Sequence, residues 1–203
     1  MFTSWNHYHN RRRLKDERYA FLFDPPPEKE LVCFDCETTS LEVKKAELLS
    51  IGAVKIKEHK ILTSEKLELY LQPSRSIDEA SIKVHHLRHC DLKNGMEPNQ
   101  AIRQFLRFIG SRPLVGYYLE FDVAMINKYL KPLLGIVLPN KKVEVSGIYY
   151  EKKQGFIPQA NIDLRFDTIL HELKLPMLGQ HDAFNDALMT AMMYVKLQHI
   201  KKV

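Results

Sequence analysis

Leu31-Val32-Cys33-Phe34-Asp35-Cys36-Glu37-Thr38-Thr39-Ser40 sets two acids at the end of an unbroken apolar run. Such a run is the pattern of a strand buried on both faces at the centre of a sheet. Side chains alternate along a strand, so Asp35 and Glu37 share a face. Two carboxylates side by side at a buried strand end repel each other and are costly to desolvate. A bound divalent cation is the usual compensation. Three further groups extend the set: Asp122 in VGYYLEFDVAM, and His181 and Asp186 in GQHDAFNDALMTA.

Outward from this strand the pattern predicts a hairpin and then helices. Leu48 to Lys57 and Ile61 to Leu71 are strands joined by a tight turn across Glu58, His59 and Lys60. Leu67, Leu69 and Leu71 alternate with Glu68 and Tyr70, giving one buried and one wetter face. A hairpin beside a buried strand implies a mixed sheet. Ala101, Ile102, Phe105, Leu106 and Ile109 form a helical stripe that Gly110 ends, with Asn99 as its cap. Leu114 to Tyr117 is a short strand, Phe121 to Leu130 a helix, and Lys142 to Val145 a last strand. Helices over Leu164 to Leu173 and Ala183 to Ile200 close the domain. Asp122 then sits where a helix starts and Asp186 one turn inside the last helix. Asp182 caps that helix, leaving His181 on the loop before it.

The chain of 203 residues is long enough for one well-filled α/β domain with a short appendage. A formal net charge of +5 suits a polyanionic partner such as nucleic acid or an anionic surface. Three cysteines make no disulfide framework, the N-terminal region lacks the apolar core of a signal peptide, and no stretch approaches the roughly 20 apolar residues of a membrane helix. A cytoplasmic setting is the expectation. Residues 1–29 form a basic, aromatic arm with Trp5, Tyr8 and Arg11 to Arg13, ending in Pro25-Pro26-Pro27 as a stiff boundary. The domain proper is expected over residues 30–203. The arm reads either as a loosely packed extension or as a segment that docks on a partner protein or grips nucleic acid.

Hydrolysing a phosphodiester requires a nucleophilic water beside an anion and a stabilised leaving oxygen. Two hard cations about 3.5–4 Å apart do both. Mg²⁺ and Mn²⁺ prefer oxygen ligands, so four carboxylates suffice where zinc would want His and Cys. Histidine is the side chain suited to taking a water's proton near neutral pH.

These motifs resemble the DEDD superfamily of 3′→5′ exonucleases, histidine subtype, nearest to the proofreading epsilon-subunit type of bacterial DNA polymerase III. FDCETT resembles the first motif of that family, GYYLEFD the second and HDAFND the third, in the same order, from Leu31 to Ile200. The tyrosine subtype is disfavoured because Asp182, not Tyr, stands four residues before Asp186. The resemblance implies an RNase H-like fold, a mixed five-stranded sheet flanked by helices. It implies Asp35, Glu37, Asp122 and Asp186 as ligands of two Mg²⁺ or Mn²⁺ ions, His181 as general base, and 5′-mononucleotides released from DNA 3′ ends in proofreading or repair. Thr38 and Leu41 match positions that touch the terminal nucleotide, and His85 matches a Val-His position near the substrate. Ser40 stands where Gly is frequent, Tyr118 where Asn is frequent, and His86 where Gly is frequent, so contacts to the nucleotide differ. The alternatives are a 3′ trimming ribonuclease of the same superfamily and a non-hydrolytic nucleic-acid-binding scaffold.

Rival readings are plain. The acids could be strand-end or helix-start residues. Cys33 and Cys36 form a C-x-x-C, but on a strand they point to opposite faces, against a redox pair. His85, His86, His89 and Cys90 crowd together without a second ligand pair of zinc spacing. Asp163 and Asp167 read as cap and surface acids.

Overall fold

The computed structural model describes residues 2–74, 82, 87–88, 90–154, 162–179 and 181–200, the side chains of residues 2–6 excepted. The strands are β1 (Glu30–Thr38), β2 (Leu48–Lys57), β3 (Lys60–Tyr70), β4 (Leu114–Gly116) and β5 (Lys142–Glu144). They form one sheet in the order β3-β2-β1-β4-β5. β1 is central, antiparallel to β2 and parallel to β4, which is parallel to β5. The expected mixed five-stranded sheet is present, and the hairpin turns where expected, with Glu58 in a left-handed conformation (φ 56°).

Among the described residues the helices are α1 (Phe2–Arg12), α2 (Pro98–Ile109), α3 (Leu119–Leu134), α4 (Val145–Gln154), α5 (Phe166–Glu172) and α6 (Ala183–His199), with a 3₁₀ turn at Glu17–Phe23. They cover both sheet faces. Val32, Phe34 and Cys36 of β1 point into a core completed by α2, α3 and the 3₁₀ turn. Cys33 points the other way, into a core built with α4, α5 and α6. The C-x-x-C is thereby split between two cores, and Asp35 and Glu37 lie on the α6 side.

Two expectations need correction. The cap of α2 is Glu97, whose carboxylate accepts from the Gln100 amide, with Pro98 at the first helical position; Asn99 lies inside the helix. The last strand stops at Glu144, and Val145 opens α4, which hydrophobic periodicity alone did not mark. That helix rests on Val145 and Tyr149, four apart and both buried against α6.

The segment before Glu30 packs on the chain itself. Tyr19 and Leu22 are buried in the core. Asn10 exchanges two hydrogen bonds with the Val137 backbone (2.8 and 3.0 Å), and the Lys15 amide donates to the Leu134 carbonyl (3.0 Å). The side chain of Trp5 lies outside the described residues. Among the described residues, no helix is long and apolar enough to cross a membrane.

One glycine decides where α6 sits. Gly52 of β2 lies opposite Asp35 of β1, and a Cβ built there would lie 2.2 Å from the backbone of Ala183 and Phe184. The first turn of α6 therefore rests directly on the sheet beside Asp35. Gly52→Ala should force this helix outward and destabilise the chain by about 3 kcal/mol, as overpacking does. Urea unfolding measures it, and an unchanged midpoint would contradict this packing.

Candidate active site

β1 pairs with β4 only at Val32–Leu114 and Cys33–Val115, so beyond Phe34 its edge has no β4 partner. There α3 begins, and buried Asp122, 4% exposed, is held by hydrogen bonding from the Cys36 backbone and thiol. A register shift between Glu37 and Thr38 bends the strand as it leaves the sheet. Asp186 approaches from the other face on α6. Asp182 caps that helix by accepting from the Asn185 amide (2.9 Å), as the sequence predicts. His181 has a left-handed backbone (φ 59°), and its amide donates to Asp186 Oδ2 (3.0 Å). This bond fixes the loop that presents the imidazole. Ligand atoms of Glu37, His181 and Asp186 lie within 4.8 Å of one another.

Electrostatics tie Asp35 and Asp122 to the same cluster. Burial, then the charges of Asp122, Asp186 and Glu37, hold the Asp35 carboxyl well above the usual carboxylate range. Burial and the Glu37 charge hold Asp122 high as well, against its bonds from Cys36. Burial, Asp186 and Asp182 push Glu37 up to about 7. Burial and Asp182 push Asp186 up to about 6, opposed by the His181 amide. The structure thus brings together Asp35, Glu37, Asp122, Asp186 and His181. A cleft of about 290 Å³ opens over Asp35, His181 and Asp186, walled by Tyr117, Phe166 and Asp167.

Of the residues expected to contact the nucleotide, Thr38, Leu41 and Tyr118 are described. Thr38 Oγ1 donates to the Ser40 carbonyl (2.9 Å), and Leu41 stands 80% exposed on the loop after β1. Tyr118 is exposed at the start of α3. His85, His86 and His89 lie outside the described residues.

Four supporting residues escaped the sequence reading. Glu144 accepts from the Tyr118 and Leu119 amides (3.2 and 2.9 Å), capping α3 from the end of β5. Lys128 donates to the carbonyls of Val43, Lys44 and Ala46 (3.1, 3.2 and 2.6 Å), and the Leu48 amide donates to the Tyr129 hydroxyl, so α3 also clamps the Leu41 loop. Gly52 is the fourth. An acid after a short strand and a lysine on a helix carry no local signal of such long-range bonds.

The profile of the exonuclease family RNase_T matches residues 32–194, spanning every one of these groups. The chain belongs to that exonuclease family. It is 29% identical over 173 residues to the PolC-type DNA polymerase III of Caldanaerobacter subterraneus, a match covering 84% of this chain and 12% of the polymerase. It is 26% identical over 170 residues to the DNA polymerase III epsilon subunit of Aquifex aeolicus, covering 82% and 79% of the two chains. The exonuclease thus spans only a small part of the PolC-type relative. Its fold is that of Escherichia coli exonuclease I, seen with a dT13 oligonucleotide (TM-score 0.71, 11% identity, covering 85% of this chain and 41% of that one). The mixed sheet and its helical layers are the RNase H-like architecture expected.

The crowded acids make the metal-free exonuclease sensitive to pH. Glu37 and Asp186 ordinarily titrate near 4.5 and 3.8. Folded, they keep protons that the unfolded chain has released, so the folded state binds more protons across this window. Stability from these groups is therefore present at low pH and lost as pH rises from about 4 to about 7. The expected loss is on the order of a few kcal/mol. Melting in EDTA should show Tm falling from pH 4.5 to 7.5, and excess Mg²⁺ should recover it at the upper end. A flat metal-free profile would contradict the repulsion.

Proposed function

We propose that this exonuclease acts in the 3′→5′ direction on DNA, uses two divalent ions, and releases 5′-mononucleotides. The observation that carries the reading is the convergence of four carboxylates and one histidine at the end of the central strand, each acid raised by burial and most of them by one another. The donor set fits hard cations, being oxygen-rich with a single imidazole. Asp35, Glu37, Asp122 and Asp186 would hold Mg²⁺ or Mn²⁺. Bound there, the two ions would activate a water and neutralise the leaving oxygen.

The chain's own residues do the rest. Asp35 comes from the rigid central strand and Asp122 and Asp186 from the starts of two helices, so their positions are preorganised. His181 takes the proton of the attacking water, its loop fixed by the amide bond to Asp186. Thr38 and the exposed Leu41 meet the terminal nucleotide, as the family resemblance implies. The net charge of +5 favours approach of a polyanion.

DNA is favoured over RNA because the relatives are DNA polymerase III proteins and a fold neighbour was seen with dT13. The same relatives suggest proofreading or repair in the cytoplasm with a polymerase as partner. The arm offers a surface for that contact, where Tyr8 stays exposed and Arg12 lies 5.7 Å from its ring.

The test is digestion of end-labelled single-stranded DNA and RNA of one sequence, with Mg²⁺, Mn²⁺ or EDTA. Stepwise shortening from DNA 3′ ends only with metal is expected. Faster loss from RNA supports a trimming ribonuclease, and no cleavage of either supports a non-hydrolytic scaffold.

A further inference from the structure

A second cleft, of about 590 Å³, adjoins the one over the acids and is about twice its size. Tyr117 is the wall between them, lining both. The larger cleft lies at the ends of the parallel strands β4 and β5, the edge where open α/β sheets receive ligands. Its lips are apolar: Tyr118 is 67% exposed and Leu164 37% exposed. Tyr118 has a left-handed backbone (φ 54°), which an aromatic residue avoids unless its surroundings hold it there. Glu144 does so, accepting from the amides of Tyr118 and Leu119. Glu144 is itself fixed by the Ser146 hydroxyl (2.8 Å). The Tyr117 hydroxyl donates to the Leu164 carbonyl (2.9 Å), closing the opposite wall.

The polar groups decide which part of a nucleotide fits. Glu120 and Glu144 face the cleft and disfavour a phosphate. Among the described residues Lys142 is its sole cation, and its ammonium is engaged by the carbonyls of Leu138 and Asn140 (3.4 and 3.3 Å). What remains between the two acids is the aromatic and apolar surface of Tyr117, Tyr118 and Leu164, suited to a nucleobase, and stacking on an aromatic side chain tolerates any base. Thr38 and Leu41, expected to meet the terminal nucleotide, line neither cleft.

We propose that the cleft between Tyr118 and Leu164 is a base-stacking subsite for the penultimate nucleotide, the one on the 5′ side of the bond being cut. This rests on the exonuclease reading and adds how the enzyme grips the strand that stays behind. An exposed base held there aligns the strand across the acids while the terminal residue leaves.

The experiment compares wild type, Tyr118→Ala and Tyr118→Trp on a single-stranded oligonucleotide and on the same strand with an abasic penultimate residue. On the intact strand, Tyr118→Ala should raise KM roughly tenfold with kcat within about twofold, and Tyr118→Trp should stay close to wild type. On the abasic strand the wild type loses the same contact, so its KM should rise to that of Tyr118→Ala. An equal penalty for Tyr118→Ala on both strands, or no penalty on the intact one, would overturn the subsite. If the wild type cleaves neither strand with Mg²⁺ or Mn²⁺, the nuclease reading fails instead. Fluorescence anisotropy of the two strands in Ca²⁺ then still reads whether Tyr118 and the penultimate base are coupled.

Discussion

Asp35→Ala should lower Mg²⁺- or Mn²⁺-dependent cleavage by more than about a thousandfold, equivalent to about 4 kcal/mol of transition-state stabilisation. Asp35 is the carboxylate on which the charges of Asp122, Asp186 and Glu37 all act, so its removal takes away the shared member of the cluster. The same substitution should leave the metal-free fold at neutral pH no less stable than wild type. It deletes a half-buried carboxyl that desolvation and four neighbouring acids disfavour in charged form. Lost activity with an unchanged or raised Tm in EDTA separates a chemical role from a structural one. Activity within tenfold of wild type, from end-labelled single-turnover assays, would remove Asp35 from the site.

His181→Ala should slow turnover by roughly 10²–10⁴-fold, the usual worth of a general base. The imidazole hangs from an exposed loop and fills no core, while the backbone amide that reaches Asp186 survives the change. Metal affinity should therefore fall far less than kcat, and the deficit should appear in the chemical step. A His181→Ala enzyme with near-normal kcat would show that another group takes the proton.

Legibility in the sequence followed range. β1, the shared face of Asp35 and Glu37 and the opposite faces of Cys33 and Cys36 follow from period-two alternation, which a buried strand enforces locally. The Asp182 cap follows equally, since an N-cap bonds within one turn. Local rules failed where packing decides. Val145–Gln154 contains Gly147 and several β-branched or aromatic residues, poor helix formers, and is helical because Val145 and Tyr149 find a core. The cap at α2 went to Glu97 because Pro98 suits the first helical position. Nothing adjacent to Gly52 announces that α6 will rest on it, and nothing near Lys128 announces three carbonyls from a loop over eighty residues away. The candidate catalytic residues stand out as motifs; the contacts that hold them in place are long-range.

Four acids from separate parts of the chain are proposed to meet and hold divalent ions. Calorimetric titration of Mn²⁺ into the metal-free chain and into Asp35→Asn at one pH tests it without relying on turnover. Two ions should bind per wild-type chain, and at least one should be lost in the variant. Wild type that takes up no Mn²⁺, or a variant that binds it identically, would contradict this proposal.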